Sequence, residues 1–357
     1  MGRQRWLLWI ALLVGAVVLI NLLSTVLFPF IVGAAVAYFL DPAAVRLERM
    51  GCSRTLATAL ISAVFFVVVA VAVVLLVPVL QGQVMEFVAN VPSYIDLGSQ
   101  LVHRLLMQVE SRLSADDIGK LREAVGSHAG EVLGWLGTVV KRVLSGGTAF
   151  LNVLSLVFIT PLVTFYLLRD WPRIVARVDD WLPRDHRETI RDLLHQIDGT
   201  LAGFVRGQAL VCLVTGTLYA LGLSLVGLQF GLLIGMAVGV LTVLPMVGAT
   251  IGAVVTIGLA ALQFGTWKGT LIVAAVFVVV QAIEGNVLSP KLVGDRVGLH
   301  PLWIVFALLA GGALFGFLGV VLAVPVAAAL GVLARFAVAR YLASPYYRGD
   351  TERGPVP

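Results

Sequence analysis

The most chemically varied stretch of the sequence, Glu284–Pro301, lies between two long apolar runs. It brings together the carboxylate of Glu284, the amide of Asn286, two basic side chains and the imidazole of His300. Groups of this kind beside a membrane segment suit the binding of a polar solute or an ion. His300 is a candidate for proton coupling because histidine titrates near neutral pH. The simpler interpretation is a helix-start histidine that is held by the backbone.

No pattern of an enzyme accompanies these residues. The sequence has no Walker loop, no Ser/His/Asp arrangement with a nucleophile elbow and no His-Glu-x-x-His zinc helix. Cys52 and Cys212 are not spaced as a metal-ligand pair or a disulfide framework. The net charge of +5 comes without a Lys/Arg cluster interleaved with aromatic residues. We therefore expect no enzyme, no cofactor or metal, and no nucleic-acid partner.

The elements that must position these groups are apolar helices. Hydrophobic residues make up 59% of the chain and charged residues 13%, whereas soluble proteins have about 45–50% and about 25%. Stretches with one charged residue or none are Trp6–Leu40, Thr55–Met85, Val143–Leu168, Gly207–Ile283 and Pro301–Ala334. Each is long enough to cross a hydrocarbon core of ~30 Å, which takes about 20 helical residues. We expect an all-α, multi-pass protein surrounded by lipid, with about eight transmembrane helices, broken or re-entrant hairpins and a helical soluble insert.

The charge pattern divides the chain into six segments. Transmembrane helices are expected over 1–80 and 143–168, an extracytoplasmic helical insert over 81–142, a cytoplasmic amphipathic connector over 169–206, a transmembrane bundle over 207–341 and a cytoplasmic tail over 342–357. Within the first segment, two short helices or a hairpin should join at Asn21–Thr25. Basic residues at the N-terminus, in the loop 41–54 and in the tail place all three in the cytoplasm.

Two apolar segments, Gly231–Pro245 and Gly311–Pro325, repeat the same spacing of glycine and proline, which predicts a fold between two helices at Leu244–Gly248 and a break near Gly319–Pro325. Broken helices in matching places indicate a transporter binding site, because they expose backbone carbonyls and amides at membrane depth. The competing interpretations are ordinary packing of small residues between helices and chance similarity. The candidate substrate or ion path consists of Gly239, Thr242, Pro245, Gly248, Gly319 and Pro325, together with Glu284, Asn286 and Pro290.

The centres of the predicted spans carry no charged residue. A charge at mid-bilayer costs ~2.5–3.5 kcal/mol on the insertion scale, so charges found there usually serve ions or protons. Coupling to an ion would therefore need boundary groups, of which Asp41, Asp170 and His300 are the candidates. For Asp170, the competing interpretation is an interfacial helix cap.

Several short motifs, in this order, resemble the autoinducer-2 exporter (AI-2E) family of bacterial permeases. They are Tyr38-x-x-x-Pro42, Pro161-x-x-Thr-Phe-Tyr-Leu-Leu-x-Asp170, Arg206-Gly-Gln, Leu218-Tyr219, Gly231-Leu-Leu-Ile-Gly, Pro245-x-x-Gly248, Glu284-x-Asn286-x-Leu-x-Pro290 and Leu299-His300-Pro301. The order of apolar segments fits this family over nearly the whole chain. One departure is Gly285, where relatives are expected to carry a larger or acidic neighbour.

This resemblance implies a homo-oligomeric protein of the bacterial inner membrane. Members of this family are linked to export of autoinducer-2, to antiport of sodium or lithium against protons, and often to no assigned substrate. The preferred prediction is efflux of a small polar metabolite of the autoinducer-2 kind, with a role in quorum sensing. The alternatives are cation/proton antiport through Glu284, Asn286 and Asp170, and a membrane scaffold that binds partners without transporting a solute.

Overall fold

The computed structural model of the chain describes residues 2–110, 147–245, 247–293 and 298–348. Its elements are α1 Gly2–Arg49, α2 Arg54–Glu110, α3 Gly147–Asp180, a 3-10 turn Arg184–His186, α4 Arg187–Leu225, α5 Gly231–Leu241, α6 Val247–Phe264, α7 Trp267–Ile283, a π-helix Glu284–Val293 (the π segment), α8 Pro301–Leu342 and α9 Pro345–Arg348. All regular structure in these ranges is helical, which confirms the predicted all-α fold.

Within the described residues, six helices are long and apolar enough to cross a membrane. They are Val26–Arg49, Arg54–Phe87, Arg184–Leu225, Val247–Phe264, Trp267–Val293 and Pro301–Leu342, with Gly231–Leu241 as a shorter apolar helix. The chain is therefore a multi-pass membrane protein. The sequence predicted about eight spans over the whole chain, and these six come from the described residues alone.

α1 continues through Asn21–Thr25, where the sequence predicted a break, and it includes Pro29 and Pro42. The Asn21 amide is used elsewhere, because its Nδ2 donates to the carbonyl of Leu314 in α8 at 3.1 Å. The N-terminal residues and the loop after Arg49 therefore lie at opposite ends of one helix. The predicted hairpin, which would have placed both on the same side of the membrane, is not formed.

The predicted insert begins as a continuation of α2. This helix passes through Pro78 and Pro92 and reaches Glu110 without a break, so no turn marks the predicted boundary between residues 80 and 81. The remainder of the predicted insert, residues 111–142, lies outside the described residues.

The predicted connector 169–206 is divided between α3 and α4. α4 runs without a break from the connector into the membrane bundle, so this part is not a separate surface helix. The turn between the two helices is tied by Asp179, which accepts hydrogen bonds from Arg191 and Arg187. These bonds hold the pKa of the Asp179 carboxyl well below its usual range.

Both hairpins predicted within the bundle 207–341 are present. The first consists of α5 and α6, whose connection falls at the predicted position, Leu244–Gly248. The second lies within α8, where Gly316 has φ 59° and ψ −140°, a conformation open to glycine. The turn comes slightly before the predicted break at Gly319–Pro325, both of which lie in the returning arm. The arm before Gly316 is about 22 Å long, shorter than a ~30 Å hydrocarbon core.

α4 is the central helix of the bundle. Its residues Tyr219 and Leu223 join a buried cluster with side chains of α5, α6 and α7, including Val238, Leu259 and Phe277. Nearer its start, Phe204 packs against Val324 and Ala328 of α8, with Val293 of the π segment alongside. Every element that surrounds the candidate site is therefore positioned by its packing on α4.

Candidate functional site

Uncharged polar side chains form a stripe along α4. They are Gln208, Cys212, Thr215 and Tyr219, at successive intervals of four, three and four residues, which places them on one face of the helix. Thr215 and Tyr219 are fully buried, and the other two are half-buried. We call these four residues the α4 polar face.

α5 lies directly against one side of the polar face. A Cβ atom added to Gly239 of α5 would lie 2.3 Å from the Cα of Gly216, and one added to Gly235 would lie 2.2 Å from the backbone nitrogen of Ala220. The two helices thus meet backbone to backbone, as small residues allow in membrane proteins. Gly239 therefore packs α5 against α4. This is the role that the sequence offered as the competing interpretation of the repeated glycines.

The π segment lies against the other side. A Cβ on Gly207 would lie 2.3 Å from the carbonyl oxygen of Leu292. At 100° per residue, Gly207 and Gly216 flank the polar face on opposite sides. The polar face is therefore bordered by α5 on one side and by the π segment on the other.

Hydrogen bonds join the end of α5 and α7 to this face. Gln208 Nε2 donates to the carbonyl oxygen of Thr242, at the end of α5, over 2.6 Å. The Tyr219 hydroxyl donates to Gln281 Oε1 of α7 over 3.2 Å, and its ring stacks on Phe277 with centroids 5.0 Å apart. The tip of the first hairpin and the end of α7 are thus both held on the α4 polar face, about three turns of the helix apart.

Glu284 begins the π segment at the end of α7 and is half-buried. The π segment that it begins packs against α4 at Gly207. Among the described residues Glu284 has no ion pair or hydrogen bond of its own. Departures from α-helix to π-helix occur often at functional sites, and an ionisable group within a membrane segment is a functional candidate. The structure thus brings the Thr242 carbonyl and the π segment that begins with Glu284, distant in sequence, to one helix, α4.

The hydroxyl of Thr215 is buried and has no hydrogen-bond partner among the described residues. A buried polar group left unpaired costs about 1–3 kcal/mol, so it calls for an explanation. A polar group of a passing solute is one partner that it can take, since it lies between Cys212 and Tyr219 along the face.

The connection between α5 and α6 has few free backbone groups. The amides of Thr242, Val243 and Leu244 all donate to carbonyls one turn earlier. Gly248 is buried against the end of α5, where an added Cβ would lie 2.7 Å from the Thr242 nitrogen, and Pro245 is half-buried. Here the Thr242 carbonyl, bound to Gln208, is the backbone group that reaches the polar face.

The glycines of the second hairpin also serve packing. A Cβ on Gly319 would lie 1.9 Å from the carbonyl oxygen of Gly311, so the two arms of α8 touch through these residues. Pro325 is half-buried in the returning arm, next to Val324, which packs on Phe204 of α4. Gly319 therefore holds the two arms of α8 together, and Val324 packs the returning arm against α4.

Three predicted site residues, in the π segment or shortly after it, are exposed or are hydrogen-bonded to nearby backbone groups. Asn286 is exposed and donates from Nδ2 to the carbonyl of Ala282 over 2.9 Å. Pro290 is also exposed, inside the π segment. His300 Nδ1 accepts from the backbone N–H of Leu302 over 3.3 Å at the start of α8. This is the helix-start role that the sequence offered as the simpler interpretation of His300.

The two predicted coupling acids outside the polar face are paired with arginines. Asp41 lies 3.1 Å from Arg54 and 3.7 Å from Arg206. Asp170 accepts hydrogen bonds from Arg169, which lower the pKa of its carboxyl. A group that exchanges protons in catalysis or transport needs a pKa near the working pH. The surroundings of Asp170 therefore do not favour proton exchange near neutral pH.

Sequence reasoning did not single out the α4 polar face. Its residues lie in a run whose one charged residue is Lys268, and Cys212 was considered only as a metal or redox group. The signal that identifies them is the spacing of uncharged polar residues by four, three and four in an apolar helix.

A family model described as AI-2E family transporter matches residues 7–338. Among similar proteins, YrrI of Bacillus subtilis (strain 168) is 30% identical over 311 residues, which is 87% of this chain and 86% of YrrI. YueF of the same organism is 30% identical over 312 residues, 85% of this chain and 82% of YueF. PerM of Escherichia coli (strain K12) is 29% identical over 318 residues, 89% of each chain.

The names of YrrI and YueF describe candidate transport proteins, and that of PerM a candidate permease. The family match includes α4, both hairpins and the π segment, the elements that form and border the polar face. This chain therefore belongs to the AI-2E family of transporters.

Proposed function

We propose that this chain is an inner-membrane permease that exports a small polar metabolite, of the autoinducer-2 kind, along the α4 polar face. The observation that carries the proposal is the buried hydroxyl of Thr215 on this face, which has no hydrogen-bond partner among the described residues. Membership of a transporter family supports transport as the activity of the chain. The packing of α5 and the π segment on either side supports this face as the route.

The polar face offers groups that replace water around a polar solute. Thr215 supplies a hydroxyl and Gln208 an amide on this face, and Glu284 supplies a carboxylate at the start of the neighbouring π segment. Apolar side chains of α5, α6 and α7 pack around Tyr219 of the same face. A few polar groups within apolar walls are typical of sites for small molecules.

Replacing Thr215 with valine tests this route. The change keeps the side-chain shape and removes the unpaired hydroxyl, so we expect about 3- to 10-fold slower transport from the loss of one hydrogen bond to the solute. Stability should stay equal or rise, because an unsatisfied buried group is removed. The measurements are uptake of autoinducer-2 into inverted membrane vesicles and thermal unfolding of the purified protein.

Thr217→Val is the matched control. Thr217 is exposed on the opposite face of α4, where its hydroxyl donates to the carbonyl of Leu213, and its replacement should leave uptake unchanged. Equal uptake by both variants would remove the polar face from the route. No uptake by the wild-type chain above that of empty vesicles would remove autoinducer-2 as the substrate.

Cation/proton antiport is a second candidate function, and the half-buried, unpaired carboxylate of Glu284 favours it. If this carboxylate binds the ion or proton, Glu284→Gln should abolish the sodium- or lithium-dependent recovery of a quenched pH dye in inverted vesicles. Asp170→Asn should preserve the response, since Asp170 is occupied by Arg169. No response of the wild-type chain to sodium, lithium or potassium between pH 6 and 9 would exclude antiport.

We also propose that the loop 41–54, the connector and the tail face the cytoplasm, and that the chain forms a homo-oligomer. The contacts of Asp41 with Arg54 and Arg206 support a common side for the loop and the connector, which both carry several arginines. Only 6% of the most apolar window of α2 is buried, so this helix has surface that can contact either lipid or another copy of the chain.

A further inference from the structure

α2 leads from the membrane into the predicted insert 81–142, and early in that insert α2 contacts the start of α5. Gln83, Glu86 and Phe87 lie at the i, i+3 and i+4 positions of one face of α2. Gln83 Oε1 accepts from the backbone N–H of Leu233 over 3.0 Å. Glu86 Oε1 accepts from Gln229 Nε2 over 2.7 Å. We call Gln83, Glu86 and Phe87 the α2 latch.

The hydrogen bond from Leu233 is suited to hold a helix end. Amides in the first turn of a helix have no acceptor within the helix, so they need a partner from elsewhere. Leu233 lies in the first turn of α5, and Gln83 supplies that partner from α2. The latch therefore caps α5 with a side chain from the helix that leads into the insert.

The residue that precedes α5 is held in a strained conformation. Phe230 has φ 62° and ψ 18°, the left-handed region that bulky residues rarely adopt, and it is buried. Its ring meets that of Phe87 edge to face, with centroids 5.4 Å apart. Such strain persists only where the surroundings over-determine it, often at switch regions.

The other end of α5 reaches the polar face. α5 is a short helix of 11 residues, about 16 Å long, so its two ends move together as one rigid element. Its start contacts the latch, Gly239 packs on Gly216, and the carbonyl of Thr242 accepts from Gln208. A shift of α5 at the latch therefore changes the position of Thr242 beside Gln208.

We propose that Gln83, Glu86 and Phe87 are positioning residues that set where α5 lies along α4, and that they thereby couple the insert to the polar face. The consequence for transport rests on the proposed function, since moving α5 alters flux only if the polar face is the route. The positioning itself does not depend on transport and is measured separately.

Cys212 is a native reporter of the contact between α4 and α5. It is half-buried, and a Cβ on Gly239 would lie 3.0 Å from its carbonyl oxygen. In the full chain with Cys52→Ser, alkylation of Cys212 by N-ethylmaleimide is followed by intact-mass spectrometry. Combined Gln83→Ala and Glu86→Ala should accelerate it at least about threefold, because loosening α5 opens the thiol to reagent.

Conservative variants distinguish an effect on the position of α5 from a general loss of stability. Gln83→Glu and Glu86→Gln each retain an acceptor oxygen, so they should label at the rate of the parent chain. Gln81→Ala, at an exposed glutamine on α2, should do the same. Thermal unfolding of every variant shows whether the fold is retained, and Phe87→Leu, which removes only the ring contact, replaces the double variant if that one fails to fold.

An unchanged labelling rate in the double variant, or in Phe87→Leu where that takes its place, would overturn the proposal. Accelerated labelling in the conservative variants would overturn it as well, since they keep the hydrogen bonds. Accelerated labelling in the double variant with unaltered uptake of autoinducer-2 would leave the positioning role intact and contradict the proposed route instead. The two hypotheses therefore fail in different measurements.

Discussion

Gly239→Ala should destabilise the folded chain by about 1–3 kcal/mol, the usual cost of overpacking a close contact. The added Cβ would lie 2.3 Å from the Cα of Gly216 and 2.9 Å from its nitrogen. Both are backbone atoms, so no side-chain rotation relieves the clash and α5 must move away from α4. Transport should fall as well, because Thr242 lies at the end of the displaced helix.

Gly258→Ala is the control for this change. Gly258 lies in α6, is exposed, and would place its Cβ more than 4 Å from other atoms. Alanine there should be neutral or should stabilise the helix by about 0.5–1 kcal/mol, because glycine costs conformational entropy. Thermal unfolding in detergent compares the two variants. Equal stability of both would show that α4 and α5 are not in tight contact.

Arg54→Ala should cost about 2–4 kcal/mol, since it removes several charge-assisted hydrogen bonds at once. Arg54 is the first residue of α2, and its guanidinium donates to the carbonyl of Leu168 in α3 at 2.7 and 3.2 Å. It also pairs with Asp41 and Glu48 of α1, each at 3.1 Å. Its loss leaves the Leu168 carbonyl, inside α3, without a donor, since Pro172 four residues later has no N–H, and it loosens three helices together.

Two further variants make this prediction specific. Arg54→Lys keeps the charge but lacks the planar fork, so its loss of stability should be intermediate. Arg49→Ala removes an exposed arginine at the end of α1, and its unfolding temperature should match that of the wild type. The same unfolding temperature for Arg54→Ala would mean that these bonds do not hold the helices together.

The surroundings of the acids distinguish their roles. Asp41 joins α1 to α2 and α4 through Arg54 and Arg206, and Asp170 is bound by Arg169. Glu284 has neither kind of contact among the described residues, although it is half-buried within a membrane segment. Of these three predicted acids, it is therefore the one available to a solute or an ion.

Much of the helical architecture follows from local composition. Apolar stretches such as Thr55–Met85 must form helices in a bilayer, because lipid offers no partner for backbone amides and carbonyls. The break at Leu244–Gly248 was also predictable, because it coincides with a proline and a glycine. The continuous α1 was not predictable in this way, since the hydrogen bond between Asn21 and Leu314 joins positions far apart in the sequence.

Local sequence was enough to predict an all-α membrane protein, two hairpins within the bundle 207–341, and an unusual polar segment that begins at Glu284. Each of these predictions rests on properties of a residue and its neighbours: hydropathy, charge and backbone freedom. The packing of the helices was needed to show that the repeated glycines lie at helix contacts and that the Thr242 carbonyl and the π segment both contact α4. Such contacts depend on how closely separate helices approach, which is set by the packing of distant residues.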